Sequence, residues 1–225
     1  MGFPLSAADR DSVGAAVTAA EAGTDGEILT IIAQRSDEYH DVAMIWAALA
    51  VLLVVALVAV DPAMLDAPIA WVTGGWGEAP GMAARLIVLL IAQGVVLGLM
   101  ILLFRLARLR IALTPRGVRH ARVRGRAIRY FKVGAERRTV ARVGVLLYLS
   151  IDERLAEIVA DEAIHTRVPD ERWGDAMVAL IDQVRAGRPA DGMAAAVGAI
   201  GAIIAEHFPK TAADVNELPD RLIEL

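Results

Sequence analysis

The stretch that decides the fold is EILTIIAQRSDEYHDVAMIWAALAVLLVVALVAVDP, residues 27–62. Its first eight residues are apolar and β-branched almost throughout, which is typical of a strand covered on both faces. From residue 42 to residue 60, a run of 19 residues, no charged side chain interrupts the apolar sequence. A helix needs ~20 such residues to cross a bilayer. The stretch therefore predicts a buried strand (27–34) that leads directly into a transmembrane helix.

A second uncharged run covers residues 86–104, and Gln93 is its only clearly polar side chain. A core helix of this length normally carries a polar stripe, so two transmembrane helices, about 42–60 and 86–104, are favoured over a pair of buried core helices. The linker between the runs contains three prolines and predicts a short external loop. Residues 41–105 are thus predicted to form a transmembrane hairpin.

Basic residues predict the orientation of this hairpin. Between Arg105 and Arg142 the chain has twelve arginines and one lysine against a single acid, Glu136. Because basic residues accumulate on the cytoplasmic side, the segment after the second helix is predicted to be cytoplasmic. Two crossings return the chain to the same side. The expectation is a multi-pass protein of the cell inner (plasma) membrane with both termini in the cytoplasm.

Several classes of chemistry are excluded or disfavoured by composition. The chain has no cysteine, which excludes disulfides and thiolate sites, and its four histidines show no metal-ligand spacing. No phosphate-binding loop, serine-hydrolase elbow, zinc-protease or EF-hand motif occurs in the sequence. No catalytic residue is therefore predicted.

The soluble segments, residues 1–40 and 106–225, each lack part of a stable core. The first supplies a helix capped by Ser6 and the strand 27–34. The second is predicted to contain helices at about 116–132, 170–186 and 191–207, with strands at 143–151 and 154–161. A strand with two open edges does not persist alone. Together the segments predict one α/β domain, an α/β/α sandwich with a small mixed sheet, interrupted by the transmembrane hairpin.

Three stretches, TDGEILTIIAQRSDEY, ERRTVARVGVLLYLSIDERLAEIVADEAI and RAGRPADGMAAAVGAIGAIIAEHFP, resemble the TPM-domain family, in particular its bacterial branch of membrane proteins. The resemblance covers roughly residues 6–40 and 119–225. It implies an α/β/α sandwich whose relatives are membrane-tethered or thylakoid lumenal proteins. Some relatives are described as acid phosphatases, others as assembly, repair or auxiliary factors of membrane complexes. This chain departs from the common pattern by its inserted hairpin and by ADEAIH in place of glycines after the third strand.

Charged residues gather at one predicted edge of the sheet. If strands 27–34 and 143–151 are parallel and 154–161 returns antiparallel, the start of the first two and the end of the third share that edge. The charged residues there are Asp25, Glu27, Arg142, Asp161, Glu162 and His165. Carboxylate clusters can hold Ca²⁺ or Mg²⁺, so Asp25, Asp161 and Glu162 are the candidate metal ligands. The preferred alternative is a solvated charged edge, because a chain with 27 acids gathers them by chance.

Arginines recur at helical spacing in the predicted helix 116–132, at Arg119, Arg122, Arg126 and Arg129. One interpretation is contact with anionic lipid headgroups of the bilayer. Another is that these charges only maintain the orientation of the hairpin. Binding to nucleic acid is disfavoured, because no aromatic stacking platform accompanies the arginines.

Two functions follow as hypotheses. The first is a membrane-tethered, non-catalytic module that binds or supports another membrane protein or component. The second is a metal-dependent hydrolase of the phosphatase type. The first is favoured, since no nucleophile or metal-bound water with a placed base can be identified.

Overall fold

The computed structural model describes residues 5–75, 79–134, 143–212 and 220–225. The chain divides into two compact units. Unit 1 consists of Met1–Asp37 and Arg116–Leu225, and unit 2 of Glu38–Pro115. The chain therefore leaves unit 1 after its first strand and returns to it later.

Helices dominate the described residues. In chain order the elements are α1 (Ala7–Glu21), β1 (Glu27–Ala33), α2 (His40–Val60), a 3₁₀ turn (Pro62–Leu65), α3 (Asp66–Thr73), α4 (Met82–Leu103), α5 (Ala107–Ala112), α6 (Arg116–Gly134), β2 (Gly144–Ser150), β3 (Leu155–Ala160), α7 (Glu162–His165), a 3₁₀ turn (Asp170–Arg172), α8 (Trp173–Arg185), α9 (Pro189–His207) and β4 (Ile223–Glu224).

The sheet of unit 1 has four strands in the order β3-β2-β1-β4. β1 and β2 run parallel, with Glu27 opposite Gly144, while β2 and β3 form an antiparallel hairpin. β4 pairs parallel with the other side of β1. The predicted parallel pair and hairpin are confirmed. β4 was not predicted, because two residues carry no periodicity.

Every residue of β1 and β2 is buried, as their continuous apolar sequences require. Ile28 and Ile32 of β1 join the core cluster formed with α1, α8 and α9, whereas Leu29 and Ile31 join the cluster formed with α6. Alternate side chains of a strand point to opposite faces, so the sheet is covered on both. The prediction of a mixed α/β fold with helices on both faces is confirmed.

The cap of α1 follows the sequence closely. The Ser6 hydroxyl accepts the Asp9 backbone N–H at 3.1 Å, and the Asp9 carboxylate accepts the Ser6 backbone N–H at 2.9 Å. This reciprocal pair satisfies two backbone donors that a helix start otherwise leaves open.

The inward face of α6 is a narrow apolar stripe. Val118 and Ala121 are exposed, and the buried side chains of α6 are Val123, Ala127 and Phe131. These three are spaced four residues apart and pack on Leu29, Ile31, Leu146 and Tyr148. None of the three is charged, so this stripe of about two and a half turns can be buried without a charge partner.

Unit 2 contains the two most apolar helices. α2 and α4 pack against each other, and the Arg85 guanidinium of α4 binds Asp66 of α3 through two hydrogen bonds of 2.8 and 2.9 Å. Tyr39, Val42 and Ile111 form a small buried cluster of their own. Three helices of the described residues, α2, α4 and α9, are long and apolar enough to cross a membrane.

Candidate functional site

The edge of the sheet that was predicted to gather charges is formed by the starts of β1 and β2 and the end of β3. Glu27 lies opposite Gly144, and Val145 lies opposite Ala160. Asp161 follows β3 directly and is buried. Its carboxylate accepts the Gly144 backbone N–H at 2.8 Å, and its backbone carbonyl accepts the N–H groups of Ile164 and His165. Asp161 thus ties the end of β3 to the start of β2 and begins α7.

The other predicted metal ligands occupy different surroundings at this edge. The Asp25 carboxylate accepts the Thr211 backbone N–H at 2.7 Å, and Glu162 is exposed. Arg142 lies outside the described residues. Within the described ranges, no group of three or more His, Cys, Asp or Glu side chains is arranged to hold a metal ion. The shared edge is confirmed, and binding of Ca²⁺ or Mg²⁺ by Asp25, Asp161 and Glu162 stays a prediction.

An open cavity of about 940 Å³ adjoins Asp161 and Glu162. Phe131 and Lys132 of α6 line one side of it, and Thr166 lies on the other. The cavity therefore offers a cation, two carboxylates and a hydroxyl along a partly apolar wall.

The opposite edge, where β1 and β2 end, carries a buried polar network that the sequence reasoning missed. Ser36 is 2 % exposed, and its hydroxyl lies 2.9 Å from the Tyr148 hydroxyl. One oxygen of Glu153 accepts the Ser36 backbone N–H at 2.8 Å, and the other accepts the Ser150 hydroxyl. We call Ser36, Tyr148, Ser150 and Glu153 the carboxyl-edge network.

Two arginines of α6 extend this network. Arg126 donates from Nε to the Ser36 carbonyl at 2.9 Å, and Arg122 pairs with Asp37 at 3.1 Å. Burial raises the pKa of Tyr148, so its hydroxyl stays protonated and can donate to Ser36. The network holds the segment in which the chain leaves unit 1.

A signal for the network was present in the sequence. QRSDE follows β1, and SIDER begins at the last residue of β2, and the two strands were predicted to be buried and parallel. Carboxyl ends of parallel strands meet at one edge, so the two runs had to come together. The predicted charged edge lies at the other ends of these strands.

The four predicted headgroup-binding arginines have unequal surroundings. Arg122 and Arg126 are partly buried in the contacts just described. Arg129 is exposed and donates to its own helix, at the Gly125 carbonyl. The Nε of Arg119 is buried and makes no hydrogen bond to the described residues. Contact of these residues with lipid stays a prediction.

A further buried carboxyl lies at the end of α1. Glu21 accepts the Ile28 backbone N–H at 2.7 Å through one oxygen, while the other oxygen has no hydrogen-bond donor among the described residues. Burial raises the pKa of Glu21 to about 8, and the nearby carboxylates of Glu27 and Asp220 add to the rise. Asp220 itself accepts the Thr18 hydroxyl at 2.7 Å. A proton on Glu21 thus lets the carboxyl groups of Glu21 and Asp220 lie close together.

Comparison with known proteins identifies part of the chain directly. Residues 109–203 match the family model of the TPM domain. This match begins in α5 and ends in α9, so it includes the β2–β3 hairpin but omits α1 and β1. No curated protein matches the chain.

A solved structure shares the fold. The NMR structure of the BA42 protein from the psychrophilic bacterium Bizionia argentinensis is similar with a TM-score of 0.56 and 17 % sequence identity. The similarity covers 99 % of this chain and 96 % of the other. At this identity the likeness concerns the fold alone. Residues 109–203 thus match the TPM domain in sequence, and the solved structure shares the fold of the chain.

Proposed function

We propose that this chain is a multi-pass protein of the inner (plasma) membrane in which α2 and α4 cross the bilayer as a hairpin. The observation that carries the proposal is the exposure of α4. None of its most apolar 18-residue window is buried within the protein, and only 11 % of that of α2 is. A water-soluble protein rarely leaves so large a contiguous apolar surface open to water. The hydrocarbon core of a bilayer would cover it.

The proposed topology places both termini in the cytoplasm, because the basic segment follows α4. A reporter active only outside the cytoplasm should be silent when fused after residue 225 and active when inserted near Gly75. A matched fusion to a chain with the helices 42–60 and 86–104 deleted controls for export of the reporter. Activity at residue 225 together with silence near Gly75 would contradict the proposal.

For the TPM domain we propose a non-catalytic role, as a module that binds or supports another membrane component. Ser36 and Ser150 are buried and hydrogen-bonded within the carboxyl-edge network, so their hydroxyls cannot reach a substrate. The carboxylates of Asp25 and Asp161 each accept a backbone N–H. Side chains committed to such structural bonds are poor candidates for a nucleophile or base.

Co-purification tests this role. The full chain, isolated from native membranes in mild detergent, should retain at least one membrane protein. A variant with Ile200→Asp should insert normally but lose that partner, because Ile200 is fully buried under the sheet. Retention of the partner by this variant would assign the binding to α2 and α4 instead.

A metal-dependent hydrolase is the second candidate, favoured by the cavity beside Lys132, Asp161 and Glu162. Turnover of a phosphate monoester with Mg²⁺ or Ca²⁺ should not exceed that of an Asp25→Asn/Asp161→Asn variant if the first proposal is right. The amide oxygen introduced by Asp161→Asn can still accept the Gly144 N–H, so the fold is preserved. Metal-dependent turnover that this double substitution abolishes would reverse the ranking.

A further inference from the structure

β3 forms one edge of the sheet. β2 pairs with one of its sides, and no strand of the described residues pairs with the other. All six residues of β3 are half-buried, in contrast to the fully buried β1 and β2. An edge strand presents backbone N–H and C=O groups that can pair with a strand of another chain.

The register shows which backbone groups of β3 face outward. The Asp161 N–H donates to the Gly144 carbonyl at 3.0 Å, so the odd-numbered residues of this segment point their backbone groups toward β2. Backbone groups alternate along an antiparallel strand. Those of Ala156, Ile158 and Ala160 therefore point away from β2, toward the open side.

Opposite charges stand at the two ends of β3. Arg154 precedes the strand and Glu162 follows it, and both side chains are exposed. Neither forms an ion pair with another residue in the described part of the chain. A strand with a basic start and an acidic end is complementary to its own reversed copy.

We propose that β3 pairs antiparallel with β3 of a second copy of this chain, about a two-fold axis at Ile158. In this register Ile158 lies opposite the partner's Ile158 and Ala156 opposite the partner's Ala160. About six backbone hydrogen bonds join the two sheets. The turn that carries Arg154 then lies beside the first turn of the partner's α7, which carries Glu162, and symmetry forms this charge pairing twice.

The charges also select the register. Moving the axis by one position, to Glu157, would set this side chain against the partner's Glu157. Like charges directly opposite each other destabilise a strand pair. Burial already raises the pKa of Glu157, whose carboxylate pairs with Arg124 at 3.4 Å. In the proposed register Glu157 lies opposite the partner's Val159 and keeps its own arginine.

Exposed apolar side chains beside β3 favour the proposed pairing with a second copy. Ile158 lies on the face of the sheet that α8 covers. Val178 and Ile181 of α8 are exposed, and Ile181 lines a cleft of about 610 Å³ together with Leu155 and Ala156. A second copy paired along β3 would cover this cleft and remove apolar surface from water.

Charge reversal tests the proposal on the full chain in mild detergent, with mass measured by sedimentation equilibrium. We expect a dimer at micromolar concentration, weakened at least ten-fold by Arg154→Glu or by Glu162→Arg. The double reversal should restore it, because the ion pair is rebuilt with opposite polarity. Asp11→Arg, an exposed acid on α1, is the matched control and should change nothing. A monomeric unsubstituted chain at all concentrations, or a dimer whose affinity neither single reversal changes, overturns the proposal.

Disulfide formation tests the register. The chain has no cysteine, so Ile158→Cys introduces a single thiol. Directly opposite Cα atoms in a hydrogen-bonded pair are about 5.5 Å apart, which a disulfide can span. Mild oxidation should yield cross-linked dimers of Ile158→Cys and far fewer of Glu157→Cys. Equal cross-linking of both, or of neither, contradicts the proposed axis.

Discussion

α4 and α9 are both long and apolar enough to cross a membrane, but they differ in how much of their surface is buried within the protein. More than half of the apolar window of α9 is buried against the rest of unit 1, and none of that of α4 is. The two helices also differ in how closely their neighbours approach. At Gly201 of α9 an added Cβ would lie 2.5 Å from the Cβ of Ala20 on α1, whereas at Gly98 of α4 it would meet nothing within 4 Å.

Both helices are long enough to cross a membrane, but their mean hydropathies differ, 2.9 for α4 and 1.2 for α9. α9 is rich in alanine and glycine, so α1 and α8 approach it closely and cover it. α4 carries leucine, isoleucine and valine around its whole circumference. Large apolar side chains on every side leave no polar face for water, and of these two helices α4 alone has this pattern.

The largest expected effect comes from one charge placed in each helix. Ile200→Asp in α9 buries an unpaired carboxylate and should lower the unfolding free energy of unit 1 by roughly 4 kcal/mol or more. Val95→Asp in α4 should leave that stability unchanged but reduce membrane insertion by about 2.5–3.5 kcal/mol. Hydrogen exchange of β1 and β2 amides measures the first effect, and alkaline extraction of membranes the second. Equal loss of hydrogen-exchange protection of the sheet in both variants would contradict the difference in burial between α4 and α9.

The next effect depends on pH and concerns unit 1 only. The pKa of Glu21 is about 8 in the folded protein and near 4.5 when unfolded. Between these values the folded state binds the extra proton, so stability falls as pH rises, by up to about 1.4 kcal/mol per pH unit. Below pH 4.5 and above pH 8 this contribution becomes constant.

Glu21→Gln should flatten this slope between about pH 5 and pH 8, because the amide does not titrate. The slope is measured by thermal unfolding of the full chain in detergent at several pH values, with hydrogen exchange of the β1 amides as the readout. Asp11→Asn on the exposed side of α1 is the matched control. A slope that persists in Glu21→Gln would assign the pH dependence to another group.

A smaller effect is expected from the glycines. Gly201→Val should destabilise unit 1 by roughly 1–3 kcal/mol, because α1 and α9 must move apart. Gly98→Val in α4 has open space around it and should leave unit 1 unaffected. Denaturation curves of the two variants, measured side by side, test this. Destabilisation of unit 1 by Gly98→Val would show that α4 is packed where the structure has open space.

The smallest effects concern α6. Arg129→Ala should change the stability of unit 1 by less than about 0.5 kcal/mol, since Arg129 is exposed. Arg126→Ala should cost about 1–2 kcal/mol, since it removes the bond to the Ser36 carbonyl. If Arg129 contacts headgroups, protection of α6 in nanodiscs should rise with anionic lipid and fall in Arg129→Ala. Identical exchange in neutral and anionic nanodiscs would contradict lipid contact.

Much of the fold could be predicted because its signals are local. β1 and β2 are continuous apolar runs, and the short polar turn after β2 favours a hairpin. The inward face of α6 could not be predicted from apolar residues alone, since Val118 lies on the exposed side and Ala127 on the buried one. β4 is held by pairing with Ile31 and Ile32, which no pattern within two residues reveals.

The site was predicted in part. The edge that gathers Glu27 and Asp161 followed from strand directions, but the use of the Asp161 carboxylate by the Gly144 N–H depends on side-chain geometry. The carboxyl-edge network required joining Ser36 to Glu153 across more than a hundred residues. Such pairings become visible only when both polar runs are placed at the ends of parallel strands.

The long separation between β1 and β2 has a consequence for synthesis. Glu27 pairs with Gly144, so β1 waits for its partner while more than a hundred residues are added. At about 5–20 residues per second, this is a delay of about 6–23 seconds. Throughout that time an apolar strand must avoid other strands. Folding is therefore expected to begin with the β2–β3 hairpin and α6, and β1 to join a sheet that already exists.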